Sequence, residues 1–276
     1  MSSNASGKDA ARAAWQGAPW LRASVAWHCG AGVLTLLRPQ WWPWTGCALI
    51  ANHLALTGLG LWPRSHALGP NWSALPAAAV ARREVAITFD DGPDPDVTPQ
   101  VLSILAQRRA RATFFCIGER VAKYPHIARE CVLQGHAVEN HSYRHTHRFS
   151  LLGFGALCNE LQRAQQCIEH ASGIAPMFFR APAGLRNALL EPVLQRLELR
   201  LASWTRRGFD TVNGDAQLVL RRLSRHLGPG DILLLHDGHA ARTSASIPVV
   251  LEVLPRLLEA VEQLGLRTVT LRDALA

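Results

Sequence analysis

From residue 85 to the C-terminus, short apolar runs alternate with longer amphipathic stretches, and this alternation is what most limits the possible folds. Strand-like runs fall at 85–89, 112–117, 137–140, 177–180, 199–204, 231–235 and 267–270. Helix-like runs fall at 98–109, 126–134 (closed by Gly135), 154–169, 187–197, 215–226 and 247–264. Strands separated by helices cannot form tight hairpins; they pair in parallel beneath a helical layer, which makes an α/β protein. Such sheets carry their chemistry at the C-terminal ends of the strands.

Composition narrows the class further. With 276 residues, 48% of them hydrophobic and 18% charged, the chain has material for one large domain and an additional segment. A disordered chain, a coiled coil and a disulfide mini-protein are excluded. The 29 Lys and Arg against 21 Asp and Glu give a net charge of +8, which points to an anionic partner: a membrane surface, a phosphate-linked substrate or nucleic acid. The basic residues occur as singles and pairs (Arg82-Arg83, Arg108-Arg109, Arg206-Arg207, Arg221-Arg222) with no nucleic-acid motif beside them, so a solvated basic face is expected and no nucleic-acid partner. The six cysteines show no CxxC spacing and read as reduced structural thiols, which leans toward a cytosolic setting.

The N-terminal third is organised differently. Residues 1–22 are polar, small and basic and read as a mobile tail. Residues 23–62 hold two apolar runs separated by Arg38-Pro39-Gln40-Trp41-Trp42-Pro43-Trp44, each slightly short of the ~20 residues that span a bilayer. We read this region as an apolar helical hairpin anchored in a membrane, with the tryptophans at an interface. A soluble helical cap or a hairpin lying in the interface is the alternative. Basic residues flank both outer ends, so the expected location is a bacterial-type inner membrane with the domain on the cytoplasmic side; a single anchor with the domain outside is the other possibility. Neither a signal-peptide nor a lipoprotein pattern fits. Residues 63–82, rich in Pro and Ala, read as a linker, and 83–276 as the α/β domain.

Five segments of that domain carry chemistry. Val85–Pro95 is an apolar strand ending in Asp90 and Asp91, one carboxylate to hold a metal and one to face a reacting water; alone it is equally a turn and helix cap. Glu139–His147 contains His141 and His145, which on a helix lie on one face at a spacing that lets both bind one metal; a surface histidine cluster is the bland reading. With Asp91 they form a His₂-carboxylate set with open positions, as in catalytic sites; His147 is a reserve ligand. Phe178–Gly184 places Arg180 where it can orient Asp90. Ser203–Thr211 offers Trp204 as an apolar wall and Asp210 as an acid, and Asp231–Gly238 ends a buried strand in His236-Asp237.

The segments TFDDGP, HSYRH, RAPAG, WTRRGFD and LLLHDG stand in the order and approximate spacing of the five motifs of the polysaccharide deacetylase family, carbohydrate esterase family 4, which this chain resembles over about residues 83–276. The resemblance implies a distorted (β/α)7-type barrel. It implies a divalent metal on Asp91, His141 and His145, with Asp90 as general base held by Arg180. His236 would be the general acid supported by Asp210, and Asp237 local scaffolding. Trp204 and Leu234 would shape the acetyl pocket, and the Ala183 N–H would bind the oxyanion. Zinc fits the donor set; cobalt, nickel, manganese and iron are alternatives. The family usually has an aromatic residue after the motif proline, where this chain has Ala183, so sugar stacking and a standard wall polymer are in doubt. The implied activity is removal of an N-acetyl group from a sugar in a glycan or lipid-linked precursor. A deformylase or O-acetyl esterase is the second reading, and a glycan-binding scaffold the non-enzymatic one.

Overall fold

In the computed structural model, which describes residues 18–276, the chain begins with two helices, α1 (Pro19–Leu37) and α2 (Trp42–Leu61), joined by a short 3-10 turn at Pro39–Trp41. A five-residue helix, α3 (Ala77–Ala81), leads into β1 (Glu84–Gly92). Then follow α4 (Thr98–Gln107), β2 (Ala112–Cys116), α5 (Gly118–Lys123), α6 (Pro125–Leu133), β3 (Ala137–Asn140), α7 (Phe154–Ser172) and β4 (Phe178–Phe179). The remainder is α8 (Leu190–Arg196), β5 (Arg200–Leu201), β6 (Arg206–Arg207), α9 (Ala216–Ser224), β7 (Ile232–His236), α10 (Val249–Gln263) and β8 (Arg267–Thr268).

The eight strands form one curled, wholly parallel sheet in the order β5-β4-β3-β2-β1-β7-β6, with β8 paired to the start of β1. The end strands β5 and β6 do not pair with each other, so the barrel is incomplete there. Residues 202–205 cross the opening, with Trp72 bridging to Ala202. The period of two along each strand decides what faces inward. On β1, Val85, Ile87 and Phe89 join the core beneath the helices with Phe114, Leu233 and Leu257. Ala86 instead joins Phe115, Phe178, Trp204 and Leu234 inside the curl. The same alternation sends Asp90 and His236 inward, at the C-terminal rim.

The expected strands are present, most of them shortened. β6 escaped the sequence reading because two arginines show no apolar alternation. All six cysteines are free thiols.

Three N-terminal expectations change. Of the expected tail 1–22, residues 1–17 lie outside the described residues, and α1 already begins at Pro19. The hairpin forms, but no helix among the described residues is long and apolar enough to cross a membrane, so the membrane-spanning anchor is not carried forward. The physical reason is the polar content of the two helices, which pairs within the hairpin: Asn52 Nδ2 donates to Ser24 Oγ (2.8 Å), His28 Nε2 meets His53 Nε2 (3.1 Å), and Thr35 and Thr45 share a hydroxyl hydrogen bond (2.8 Å). The linker is also tied down. Leu68, Leu75 and Ala79 are buried, and the Asn71 amide donates to the carbonyls of Pro63 and Ser65.

Candidate active site

Two adjacent carboxylates reach one cleft because β1 carries a bulge. The pairing with β2 runs Asp90 to Phe115 and then Gly92 to Cys116, leaving Asp91 as the extra residue, with φ at +70°. The Gly238 backbone lies so close to the Asp91 carbonyl that an added Cβ would sit 2.3 Å from it, so the approach requires glycine there.

The histidines converge by a route other than the expected helix. Residues 141–147 are non-helical, and Ser142 and His145 take left-handed backbone angles (φ +65° and +52°). Asn140 Oδ1 accepts from the Ser142 N–H, Ser142 Oγ accepts from the His145 N–H, and the Gly118 and Glu119 N–H groups at the start of α5 donate to the carbonyls of Ser142 and Tyr143. Sequence reading missed α5; its signal was Gly118, where a Cβ would lie 2.7 Å from the Tyr143 ring.

This turn sets His145 Nε2 3.1 Å and His141 Nε2 3.4 Å from Asp91 Oδ1. One ligand atom from each of the three residues lies within 4.8 Å of the others. Asp91 Oδ1 is buried without a hydrogen bond, as befits an oxygen awaiting a cation. Ligands at about 2.0–2.2 Å in tetrahedral geometry stand about 3.3–3.6 Å apart, so the donor set fits a divalent ion such as zinc. The His141 Nδ1 donates to the Arg180 carbonyl (2.8 Å), which leaves Nε2 as the ligand atom.

The electrostatics match this role. Burial pulls the His141 pKa down, but the charges of Asp90 and Asp91 more than reverse this and raise it. His145 is lowered to about 4, first by burial and then by His141. The imidazoles hold Asp91 well below the usual carboxylate range despite its burial.

Two supported groups flank this set. Arg180, fully buried, donates from Nη1 to Asp90 Oδ1 (2.7 Å) and Thr88 Oγ1 (2.7 Å), from Nη2 to the Ser203 carbonyl (2.8 Å), and from Nε to the Ala202 carbonyl (3.3 Å). It thereby occupies the incomplete side of the barrel and fixes Asp90. Across the cleft, Asp210 accepts from His236 Nδ1 (2.8 Å) and from the His236 backbone N–H (2.7 Å). Burial opposes protonation of His236, yet Asp210 outweighs it and raises the pKa.

The cleft, of about 480 Å³, is lined by eight of the ten expected residues: Asp90, Asp91, His141, His145, Ala183, Trp204, Leu234 and His236. Arg180 and Asp210 stand behind it. Ala183 takes φ +54° in the 3-10 turn Pro182–Gly184. Asp237 is turned away: its Oδ2 accepts from Thr98 Oγ1 (2.5 Å), and burial pushes its carboxyl up to about 7. His147 lines the cleft but is not among the grouped metal donors. Sequence reading missed Arg207, Thr211 and His239, which also line it.

A curled parallel sheet with carboxylates, histidines and a metal-competent set gathered at its C-terminal rim is the arrangement of a (β/α)-barrel type of enzyme site. A family model described as "Polysaccharide deacetylase" matches residues 77–202. The chitooligosaccharide deacetylase of Azorhizobium caulinodans is 38% identical over 155 residues, covering 56% of this chain and 73% of that protein. A peptidoglycan-N-acetylglucosamine deacetylase of Bacillus cereus is 34% identical over 193 residues, covering 69% of this chain and 87% of that one. Among solved structures, a family 4 carbohydrate esterase from Streptomyces lividans, in complex with acetate, is 34% identical with a TM-score of 0.61, covering 67% of this chain and 91% of that chain. The chain belongs to the polysaccharide deacetylase family.

Proposed function

We propose that this chain is a metal-dependent N-deacetylase that hydrolyses the N-acetyl group of an N-acetylated sugar, in a glycan or a lipid-linked glycan precursor, and releases acetate. The observation that carries the reading is the pairing of two separately supported groups, Asp90 on Arg180 and His236 on Asp210, on either side of Asp91, His141 and His145. When bound there, a divalent ion supplies Lewis-acid polarisation of the acyl carbonyl and a lowered pKa for water.

The side chains do the rest. Asp90 takes a proton from the attacking water as its oxygen bonds to the acyl carbon. The Ala183 N–H donates to the developing oxyanion. Trp204 and Leu234 enclose the acyl methyl in an apolar wall. His236, with Nδ1 committed to Asp210, donates from Nε2 to the sugar nitrogen; the C–N bond breaks, and acetate and a free amino sugar leave. Acetate release from N-acetylglucosamine oligomers by the zinc-reconstituted chain tests this. Release of formate from N-formylated oligomers, or of acetate from O-acetylated ones, with none from the N-acetylated oligomers would select the deformylase or esterase reading, and binding without turnover the scaffold.

The hairpin is proposed to seat on an anionic lipid surface without crossing it. Val25, Val33, Leu36, Trp42, Trp44 and Leu54 are more than half exposed, while Ser24, Asn52, Thr35 and Thr45 pair between the helices, the reverse of a water-facing hairpin. No acidic residue stands between Asp9 and Glu84, whereas Arg22, Arg38 and Arg64 do. A surface of that charge suits the anionic cytoplasmic leaflet of a bacterial-type inner membrane. Flotation with anionic vesicles and not with zwitterionic ones supports this seating, and equal flotation with both, or none, contradicts it.

A further inference from the structure

The mouth of the cleft carries a cation that the deacetylation chemistry leaves unused. Arg207 lies on β6 beside Leu234 of β7, and the two residues line the same cleft. Its guanidinium lies against two aromatic rings, 5.4 Å from the Trp204 centroid and 5.0 Å from that of Phe209. Its Nε is buried without a hydrogen bond, and no carboxylate of a described residue lies within the 4.0 Å of an ion pair. Its neighbour on the strand behaves differently: Arg206 Nε pairs with Asp231 (2.5 Å). Two more guanidinium groups without an ion pair among the described residues stand nearby. The Arg222 guanidinium lies 5.3 Å from the Phe209 ring centroid, and Arg64, just past α2, donates to the Thr205 carbonyl (3.3 Å).

A neutral polysaccharide offers no charge for this group, and an arginine on the cleft wall with no carboxylate beside it carries a charge that no described residue balances. Its planar fork matches the oxygens of a phosphate ester. Arg207 is the guanidinium that lines the cleft, and Arg64 and Arg222, each bonded to a backbone carbonyl, add positive charge beside it, which suits a multiply charged diphosphate. The packing agrees: Gly184, in the turn that carries Ala183, lies so close to Pro63 and the Trp204 ring that a Cβ would lie 2.6 Å from each. The segment leaving α2 is thus built into the same rim, and Arg64 belongs to it.

We propose that Arg207 is a specificity residue that binds a phosphate or diphosphate ester carried by the N-acetyl sugar. The inference rests on the deacetylase reading of the cleft and names its substrate class. The ester can belong to a soluble nucleoside diphosphate sugar or to a sugar on a lipid diphosphate.

The test compares binding and turnover by the zinc-reconstituted full chain on four probes: N-acetylchitotetraose, N-acetylglucosamine 1-phosphate, a uridine diphosphate sugar and a short polyprenyl diphosphate sugar, each bearing N-acetylglucosamine. We expect at least tenfold tighter calorimetric binding of a phosphorylated probe than of the neutral tetramer, weakening as salt rises. In Arg207→Gln that preference falls at least tenfold, through KM more than kcat, and Arg207→Lys restores part of it. Preference for the lipid probe over the nucleotide probe identifies the source. Equal binding of neutral and phosphorylated probes, equally tight binding of a uronic-acid oligosaccharide added as a carboxylate control, or a uniform loss across all probes in Arg207→Gln overturns the inference. Turnover of the tetramer alone would leave the deacetylase reading standing while this one fails; phosphate-dependent binding with no acetate released from any probe would do the reverse.

Discussion

The two ends of β1 each bury a carboxylate, and they treat it in opposite ways. At the N-terminal end Glu84, 2% exposed, accepts from Arg82 Nε and Nη2 (2.9 Å each) and from Arg267. At the C-terminal end Asp91, 6% exposed, leaves Oδ1 without a hydrogen bond before two imidazoles. Both carboxyls are held below their ordinary pKa. For Glu84 the leading cause is the hydrogen bond from Arg82; for Asp91 it is the set of histidines, acting against burial. The difference lies in the partner. Arginine keeps its proton at every working pH, so Glu84 is closed to ligands. Imidazole can give its proton up, so Asp91 belongs to a site able to exchange protons for a metal ion.

The strongest way to break this contrast is to alter the open end. Asp90→Asn should cut acetate release about 10²–10⁴-fold while metal content stays at the wild-type level, and His141→Ala should lose both, as read by a turnover assay alongside elemental analysis. Metal affinity should also depend on pH at this end. The His141 pKa is raised in the metal-free chain, so below it binding must displace a proton, and affinity should fall about tenfold per pH unit in a chelator competition. A smaller effect concerns the acid. His236 must be protonated to act, and Asp210 raises its pKa, so the alkaline limb of kcat/KM should move to lower pH in Asp210→Asn. At the closed end, Glu84→Gln should cost about 1–3 kcal/mol in denaturant unfolding, with metal content unchanged and kcat/KM within about twofold of wild type. Loss of metal in that variant would erase the distinction.

Much of the sheet and of the site was readable because both depend on local pattern. Short, nearly continuous apolar runs mark β1, β2 and β7, and the polar residues that end them are the ones found at the rim. What could not be read depends on contacts distant in sequence. The bulge at Asp91 exists because Gly238 admits its carbonyl, and the turn through His145 because α5 supplies N–H donors. Residues 63–82 look like a linker by composition, yet Leu68, Leu75 and Ala79 are buried against the domain. The hairpin misled for the opposite reason: its apolar content is plain, but the pairing of Ser24 with Asn52 and of His28 with His53 appears only when the helices meet. Arg207 was seen as half of a basic pair, and its separation from Arg206 in role follows from the pleat of a two-residue strand.

The most direct test of the central claim measures bound metal and released acetate in the same samples of wild type and Asp90→Asn, each supplied with zinc and a panel of N-acetylglucosamine substrates, neutral and phosphorylated. The account predicts about one metal ion per chain in both proteins, acetate released by wild type on at least one substrate, and release by Asp90→Asn reduced at least a hundredfold. Equal acetate release by the two proteins, or a metal-loaded wild type that frees no acetate from any of the panel, would contradict it.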